Sequence, residues 1–426
     1  MISEILCVGT ELLLGDIVNT NAAYIAREIA VCGFTSYRQS VVGDNPDRLR
    51  TAIRESLMRA DVVIMTGGLG PTYDDITKTA AAEIFGKKMI FSEEVKAEIE
   101  EYFTKIGRVM TENNLSQAYV PEGSTVLHNK WGTAPGVAIS GEFEGKTRHA
   151  ILLPGPPSEC EPMFEECVKP YLAALSDKVI YSHNIHLYGI GESAAENVLR
   201  GIMESSDNPS VAPYACEHEV RVRITAMSDT LDSAKEMCAA KAREIYQSDV
   251  AKYIFAETDN PTDAKHATVC ALINEIRSRG LVIGTAESCT AGMIASEIGD
   301  IPGASDVFAG GIVSYANEVK MNVLGVPADV LEKHGAVSEE CASYMSRGAL
   351  RTLGVDIAVS VTGIAGPGGG TPEKPVGTVC FGVATSDGRV HTEKVHFNPK
   401  YTRNKIRRRT AAHAMMLAIR MIRGEI

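Results

Sequence analysis

Apolar and polar positions along this chain follow three different rhythms. Through the first 168 residues, short apolar runs at 5–8, 62–65 and 150–153 alternate with longer stretches of helical spacing at 20–32, 47–59 and 76–85. Apolar strands separated by helices predict an α/β layer fold on a largely parallel sheet. The rhythm changes near Val168-Lys169-Pro170. Residues 179–188 read as a strand and 192–203 as a helix. Residues 219–225 alternate polar and apolar side chains strictly, and 231–246 are helical again. This predicts a small α+β module. A third segment follows Glu257-Thr258-Asp259-Asn260-Pro261. There Thr262 is placed to cap a helix running through Arg279, residues 281–284 form the next strand, and a final helix spans 404–423. The expected domains are therefore 1–168, 169–257 and 258–426.

Composition narrows the class. A net charge of −12 argues against a general nucleic-acid binder. The chain has no run of about 18 apolar residues, so no membrane span is expected. The opening Met1-Ile2-Ser3-Glu4-Ile5-Leu6-Cys7-Val8 passes quickly into Glu11 and Asp16 and reads as a strand, not a signal peptide. The ten cysteines include no Cys-x-x-Cys pair, which points to reduced core thiols and a cytoplasmic protein.

The richest chemistry lies in the third segment. The apolar run 355–361 leads into Thr362-Gly363-Ile364-Ala365-Gly366-Pro367-Gly368-Gly369-Gly370, with five glycines in the eight residues from Gly363. Such a loop can turn its N–H groups toward an anion. Upstream stand Glu287-Ser288-Cys289-Thr290 and Ser314-Tyr315-Ala316-Asn317-Glu318-Val319-Lys320. Ser288 lies between a strand and the helix-like run 292–298, where a hydroxyl faces a ligand or merely caps the helix. Lys320 is a base for that hydroxyl if desolvated, or otherwise a solvated helix lysine. Arg403, Lys405, Arg407, Arg408 and Arg409 form either a phosphate-binding cluster or a charged solvent face.

The first segment offers two more strand-end loops, Gly9-Thr10-Glu11-Leu12-Leu13-Leu14-Gly15-Asp16 and Thr66-Gly67-Gly68-Leu69-Gly70-Pro71-Thr72-Tyr73-Asp74-Asp75. Ligands bind at strand carboxyl ends in open α/β sheets. The second loop joins phosphate-type glycines to two carboxylates suited to a hard cation. Its alternative is a tight turn in which Asp74 or Asp75 caps the next helix.

These motifs together resemble the CinA (competence/damage-inducible protein A) family over essentially the whole chain. The C-terminal matches are Ala286-Glu287-Ser288-Cys289-Thr290, Gly310-Gly311 with Tyr315, Asn317 and Lys320, His334-Gly335-Ala336-Val337-Ser338, Gly363-Ile364-Ala365-Gly366-Pro367, and Lys374-Pro375-Val376-Gly377-Thr378-Val379. The same domain stands alone as nicotinamide mononucleotide deamidase. The resemblance implies hydrolysis of that amide to nicotinic acid mononucleotide and ammonia, without a metal. Ser288 would be the nucleophile, and Lys320 and Tyr315 would handle its proton. Thr362 with Gly363, Ala365 and Gly366 would hold the carboxamide, and Arg403 the phosphate.

The first segment resembles the molybdopterin-binding fold of that family through Asn19-Thr20-Asn21, Gly132-Thr133-Ala134-Pro135-Gly136 and Leu153-Pro154-Gly155-Pro156-Pro157-Ser158-Glu159. This implies hydrolysis of ADP-ribose to AMP and ribose 5-phosphate with a divalent metal cation. Asp16, Asp74 and Asp75 would serve the metal, with Glu11 a weaker candidate. Gly67, Gly68, Gly70, Asn19 and Asn21 would serve the substrate. The middle segment resembles the family's KH-like linker through Gly189-Ile190-Gly191-Glu192-Ser193 and Asn208-Pro209-Ser210-Val211-Ala212-Pro213-Tyr214. It shows no Gly-x-x-Gly RNA loop.

The implied fold is thus a molybdopterin-binding-like α/β domain, an α+β KH-like domain and an α/β deamidase domain. A homodimer is the expected assembly. Three departures stand out. Ala291 replaces a usual glycine, Lys400-Tyr401-Thr402 precedes Arg403 where Gly-Asp is usual, and Leu115-Ser116 replaces an Arg-Lys pair. Two alternatives remain open: a first domain that binds pterin or nucleotide without turnover, or a competence-linked interaction protein.

Overall fold

Strict alternation within continuously buried strands sets the first layer structure. Ile5, Cys7, Ile64, Ile151 and Leu153 face one side of the N-terminal sheet, and Leu6, Val8, Val63, Met65 and Leu152 face the other. The first set packs on Ala22, Ile25 and Ile29 of the helix Thr20–Val31, and the second on Leu49, Ile53 and Leu57 of the helix Pro46–Arg59. Each fully buried Ile or Leu contributes about 1.5–3 kcal/mol of apolar burial. Covering both faces is what permits parallel strands with apolar residues at consecutive positions.

In this computed structural model, residues 1–426 are described except 177, 206, 260–263 and 265. Two units are formed, Met1–Ser182 with Thr225–Ala239, and His183–Ile224 with Ala240–Ile426. The strands of the first sheet are β1 (Ile2–Val8), β2 (Thr35–Val42) and β3 (Val62–Thr66). β4 (Met89–Phe91) and β5 (Tyr119–Pro121) form a separate antiparallel ribbon. β6 (Thr125–Leu127), β7 (Gly136–Phe143) and β8 (Lys146–Leu153) complete the main sheet, in the order β2-β1-β3-β8-β7-β6. The first four strands in that order are parallel, and β7 and β6 add an antiparallel edge. From β1 the chain goes to one side for β2 and to the other for β3. The carboxyl ends of β1 and β3 therefore flank a topological switch point.

The middle segment holds β9 (Val179–Leu187), β10 (Ser210–Ala215), β11 (Val220–Ser228) and β12 (Ile254–Thr258), ordered β10-β11-β9-β12. β10 escapes the sequence pattern because Pro209 precedes it and Pro213 lies within it. It takes an edge, where a missing N–H is tolerated.

The C-terminal sheet comprises β13 (Ile283–Glu287), β14 (Phe308–Val313), β15 (Ile357–Gly363), β16 (Thr378–Thr385) and β17 (Val390–His396), ordered β14-β13-β15-β16-β17. β13 pairs in parallel with both β14 and β15, which creates a second switch point between the ends of β13 and β15. Ile357, Val359 and Val361 face the helices Ala267–Ser278 and Arg403–Arg423, while Ala358 faces the helix Glu339–Leu353. The expected strand 281–284 begins two residues later in the structure and runs to Glu287. Thr262, the expected cap of the preceding helix, lies outside the described residues.

Candidate functional site

β13 ends at Glu287, and Ser288 opens the turn beyond it. Its N–H donates to the Val361 carbonyl of β15 at 3.0 Å, so the serine is fixed at the switch point by the sheet itself. The turn reverses through Ala291 (φ 51°) and Gly292 (φ 89°) into the helix Met293–Gly299. That helix takes no cap from Ser288 or Thr290. Instead the buried Glu287 carboxylate accepts from the N–H groups of Ile294 (3.1 Å) and Ala295 (2.9 Å). This removes helix capping as the reason for Ser288. A carboxylate at a helix N-terminus was present in the motif, but its reach of seven residues is visible only in the fold.

Lys320 is no solvated lysine. It is 1% exposed on the helix Asn317–Asn322. Its Nζ donates to the carbonyls of Ser314 (2.7 Å) and Tyr315 (3.2 Å) and lies 3.3 Å from Ser288 Oγ. Burial holds this amine below lysine's ordinary value, against smaller opposing pulls from Cys341, Cys289 and Glu318. When the amine is neutral, two N–H bonds remain directed at the carbonyls and the lone pair faces Ser288 Oγ. The neighbouring Cys289 is a poor rival nucleophile, because burial pushes its thiol up to about 12.

The remaining C-terminal candidates connect to this pair. Tyr315 is exposed, and its OH accepts from Arg403 Nη2 at 3.1 Å. Arg403 Nη1 donates to the Gly366 carbonyl at 2.8 Å. Gly363 ends β15 opposite Val379, and Ala365 is buried. Thr362 is 1% exposed, and its hydroxyl donates to the Ala336 carbonyl at 2.7 Å, which ties down the loop. The basic cluster also disperses. Arg407 holds the Cys289 and Thr290 carbonyls, Arg408 pairs with Glu217, and Lys405 and Arg409 lie over the Tyr401 ring. Of these five cations, Arg403 is the one linked to Tyr315 and Gly366.

At the N-terminal switch point, the loops after β1 and β3 line a cavity of about 380 Å³. Gly67 (φ 95°) and Gly68 (φ 68°) make the turn, where a Cβ would come within 2.1 Å of the Val8 carbonyl or of Thr77 Oγ1. Gly67, Gly68 and Gly70 all line the cavity, although the Gly67 N–H is committed to the Leu153 carbonyl at 3.0 Å. Glu11, Asp44, Asp74, Asp75 and Glu159 also line it, and no lysine or arginine is among the described lining residues. Asp74 and Asp75 do not cap the following helix, whose N-cap is Ile76. They share the Thr72 hydroxyl, and Asp75 also accepts from the Thr72 N–H at 2.9 Å. Burial holds Glu159 above the ordinary carboxylate range, against an Asn129 bond of 2.7 Å.

Three expected members stand apart. Asp16 is exposed and off the lining, its N–H closing the turn onto Glu11. Asn19 caps the helix Thr20–Val31, and Asn21 donates to the Gly155 carbonyl at 2.7 Å. Among the described residues, a trio of ligand atoms within 4.8 Å of one another occurs at Glu94, Glu98 and His128, away from this set. The carboxylate lining itself has hard-oxygen chemistry of the kind that suits a divalent cation. Sequence reading missed Lys78, buried beside this loop. Its Nζ donates to the Gln117 and Tyr119 carbonyls, and burial lowers it to about 8.

Comparison with known proteins agrees with this architecture. Residues 4–174 match the family model "Probable molybdopterin binding domain", 182–256 match "Damage-inducible protein CinA KH domain", and 265–422 match "CinA C-terminal domain". Fold and matches together define a multidomain α/β protein of enzyme-like type, with a molybdopterin-binding-type domain followed by KH and CinA C-terminal domains. The chain belongs to the CinA family. It is 46% identical over 415 residues to a CinA-like protein of Kosmotoga olearia, covering 97% of each chain. It is 43% identical over 412 residues to one of Dictyoglomus thermophilum, again covering 97% of each. A crystal structure of competence/damage inducible protein CihA from Agrobacterium tumefaciens is 38% identical over 37% of this chain and 94% of that one, with a TM-score of 0.36. Among the described residues no helix is long and apolar enough to cross a membrane.

Proposed function

We propose that the C-terminal site hydrolyses the carboxamide of nicotinamide mononucleotide to nicotinic acid mononucleotide and ammonia. The observation that carries this reading is the desolvated Lys320 amine 3.3 Å from Ser288 Oγ, oriented by two backbone carbonyls. Ser288 Oγ attacks the amide carbon while Lys320 takes its proton. Lys320 then returns that proton to the departing nitrogen, which leaves as ammonia. Water, deprotonated by the same amine, cleaves the acyl ester and frees Ser288. Arg403, held by Tyr315 and Gly366, is the group for the nucleotide phosphate.

The N-terminal cavity is proposed to cleave ADP-ribose to AMP and ribose 5-phosphate with a divalent cation. Its carboxylate lining supports this reading, because a pyrophosphate entering five carboxylates needs a counter-charge. Such a cation would neutralise the pyrophosphate. Binding of pterin or nucleotide without turnover is the second reading, favoured by Leu115-Ser116 standing in place of two cations. The test is to incubate the purified protein with each nucleotide alone and measure ammonia, nicotinic acid mononucleotide and AMP. Absence of ammonia from nicotinamide mononucleotide sinks the first reading. ADP-ribose that binds but stays intact with added magnesium or manganese leaves the binding module.

A further inference from the structure

We infer that Arg407 is the positioning residue of the nucleophile turn, an inference that rests on the proposed role of Ser288. In the turn from Ser288 to Gly292 the Thr290 carbonyl accepts only a long bond from the Met293 N–H at 3.3 Å, and no backbone N–H among the described residues reaches the Cys289 carbonyl. Arg407 reaches them from the final helix, with Nε donating to Cys289 O at 3.2 Å and Nη2 to Thr290 O at 2.7 Å. One planar guanidinium thus holds two consecutive peptide units directly after the serine, a geometry a lysine cannot reproduce. Nη1 is steadied by Asn404 Oδ1 at 3.4 Å.

On the other side of the same turn, Glu287 grips the N–H groups of Ile294 and Ala295. The turn is therefore clamped at both ends by opposite charges, and its middle holds the left-handed Ala291. A strained turn keeps its shape only when its surroundings over-determine it. Without Arg407, the Cys289 carbonyl loses its partner and Thr290 keeps only the 3.3 Å bond from Met293, so the turn loosens and Ser288 Oγ drifts from the Lys320 lone pair. Arg407 touches neither Ser288 Oγ nor Lys320 Nζ, so it acts on the reaction through the backbone alone.

The experiment uses the full chain with Arg407→Gln and Arg407→Lys. Two readouts are taken: steady-state deamidation, and the rate at which an activated organophosphonate labels Ser288, which needs no nucleotide. The expected result is a kcat reduced about tenfold to a hundredfold, the scale of a misplacement near 1 Å, with KM nearly unchanged. Labelling should slow in proportion, and Arg407→Lys should recover only part of the loss. Thermal unfolding followed on the same samples separates misplacement from global destabilisation. If Arg407→Gln does not fold, Arg407→Lys carries the same comparison. Wild-type labelling rates in the variants overturn the inference. A wild-type protein that labels at Ser288 but does not deamidate refutes the proposed substrate, and Arg407 is still judged by labelling. A wild-type protein that does neither overturns both.

Discussion

The two strand-end sites share a scaffold and differ in where their charge is kept. Both lie where parallel strands diverge, β1 from β3 and β13 from β15. The N-terminal cavity is lined with glycines and five carboxylates, and its nearby buried cation, Lys78, is turned away onto the Gln117 and Tyr119 carbonyls. The C-terminal site does the reverse. Its carboxylate, Glu287, is committed to helix N–H groups, and its buried amine faces a hydroxyl. One switch point has no lysine or arginine among its described lining residues, and on the proposed reading it takes a cation from solution. The other holds a buried amine against a hydroxyl, and on the proposed reading that amine is its base.

The sharpest way to break this contrast is Ser288→Ala. Deamidation should fall by about a thousandfold or more, because an acyl-transfer route loses its nucleophile. The thermal midpoint should barely move, since Ser288 caps no helix. ADP-ribose cleavage, on its own domain, should be unaffected. A variant that keeps most of its deamidation removes the serine from the mechanism, whatever its stability.

Lys320 sharpens the same side. A general base works only when neutral, so kcat should rise with pH as the amine loses its proton. Burial lowers that amine from the ordinary lysine value, which places the rise below the ordinary lysine range near about 10.4. Lys320→Ala should cost about a hundredfold or more and flatten the profile. A variant whose pH profile superimposes on the wild type assigns the titration to another group.

For the N-terminal cavity the corresponding test is removal of divalent cations. ADP-ribose cleavage should drop at least about tenfold with a chelator and return with magnesium or manganese, while deamidation holds steady. Asp75→Asn should raise the magnesium or manganese concentration needed for cleavage, because Asp75 lines the cavity next to the glycine loop. Chelator-resistant cleavage would sink the cation assignment.

Legibility in the sequence followed the range of the interactions. The layer architecture was readable because apolar runs repeat locally, and β10 was missed because prolines mask it. Ser288, Lys320, Tyr315 and Arg403 were named from motifs, and the fold joins them through a chain of hydrogen bonds. Whether Lys320 was a base or a surface lysine could not be read from spacing, because its burial comes from elements far along the chain. Arg407 looked like one more charge in a basic run until the final helix laid it against Cys289 and Thr290, well over a hundred residues away in sequence. Asn19 and Asn21 carry structural roles that spacing alone does not show: Asn19 caps the helix Thr20–Val31, and Asn21 anchors Gly155.

The smallest expected effect tests the clamp at its strained middle. Ala291 sits at φ 51°, a left-handed conformation that costs an L-residue about 1–2 kcal/mol. Its N–H donates to the Ser288 carbonyl at 3.1 Å, and its side chain is exposed, so the methyl group contributes little packing. Glycine relieves the strain but adds about 0.4–1 kcal/mol of chain entropy to the unfolded state. The net gain for Ala291→Gly should be about 0.5–1 kcal/mol, a rise in thermal midpoint of roughly 1–4 °C for a domain of this size. Deamidation should stay within about twofold of wild type, because Glu287 and Arg407 still hold both ends of the turn. A midpoint that falls would mean the methyl group is packed after all. A large loss of rate with a raised midpoint would mean that the strain at Ala291, and not the clamp, sets the position of Ser288.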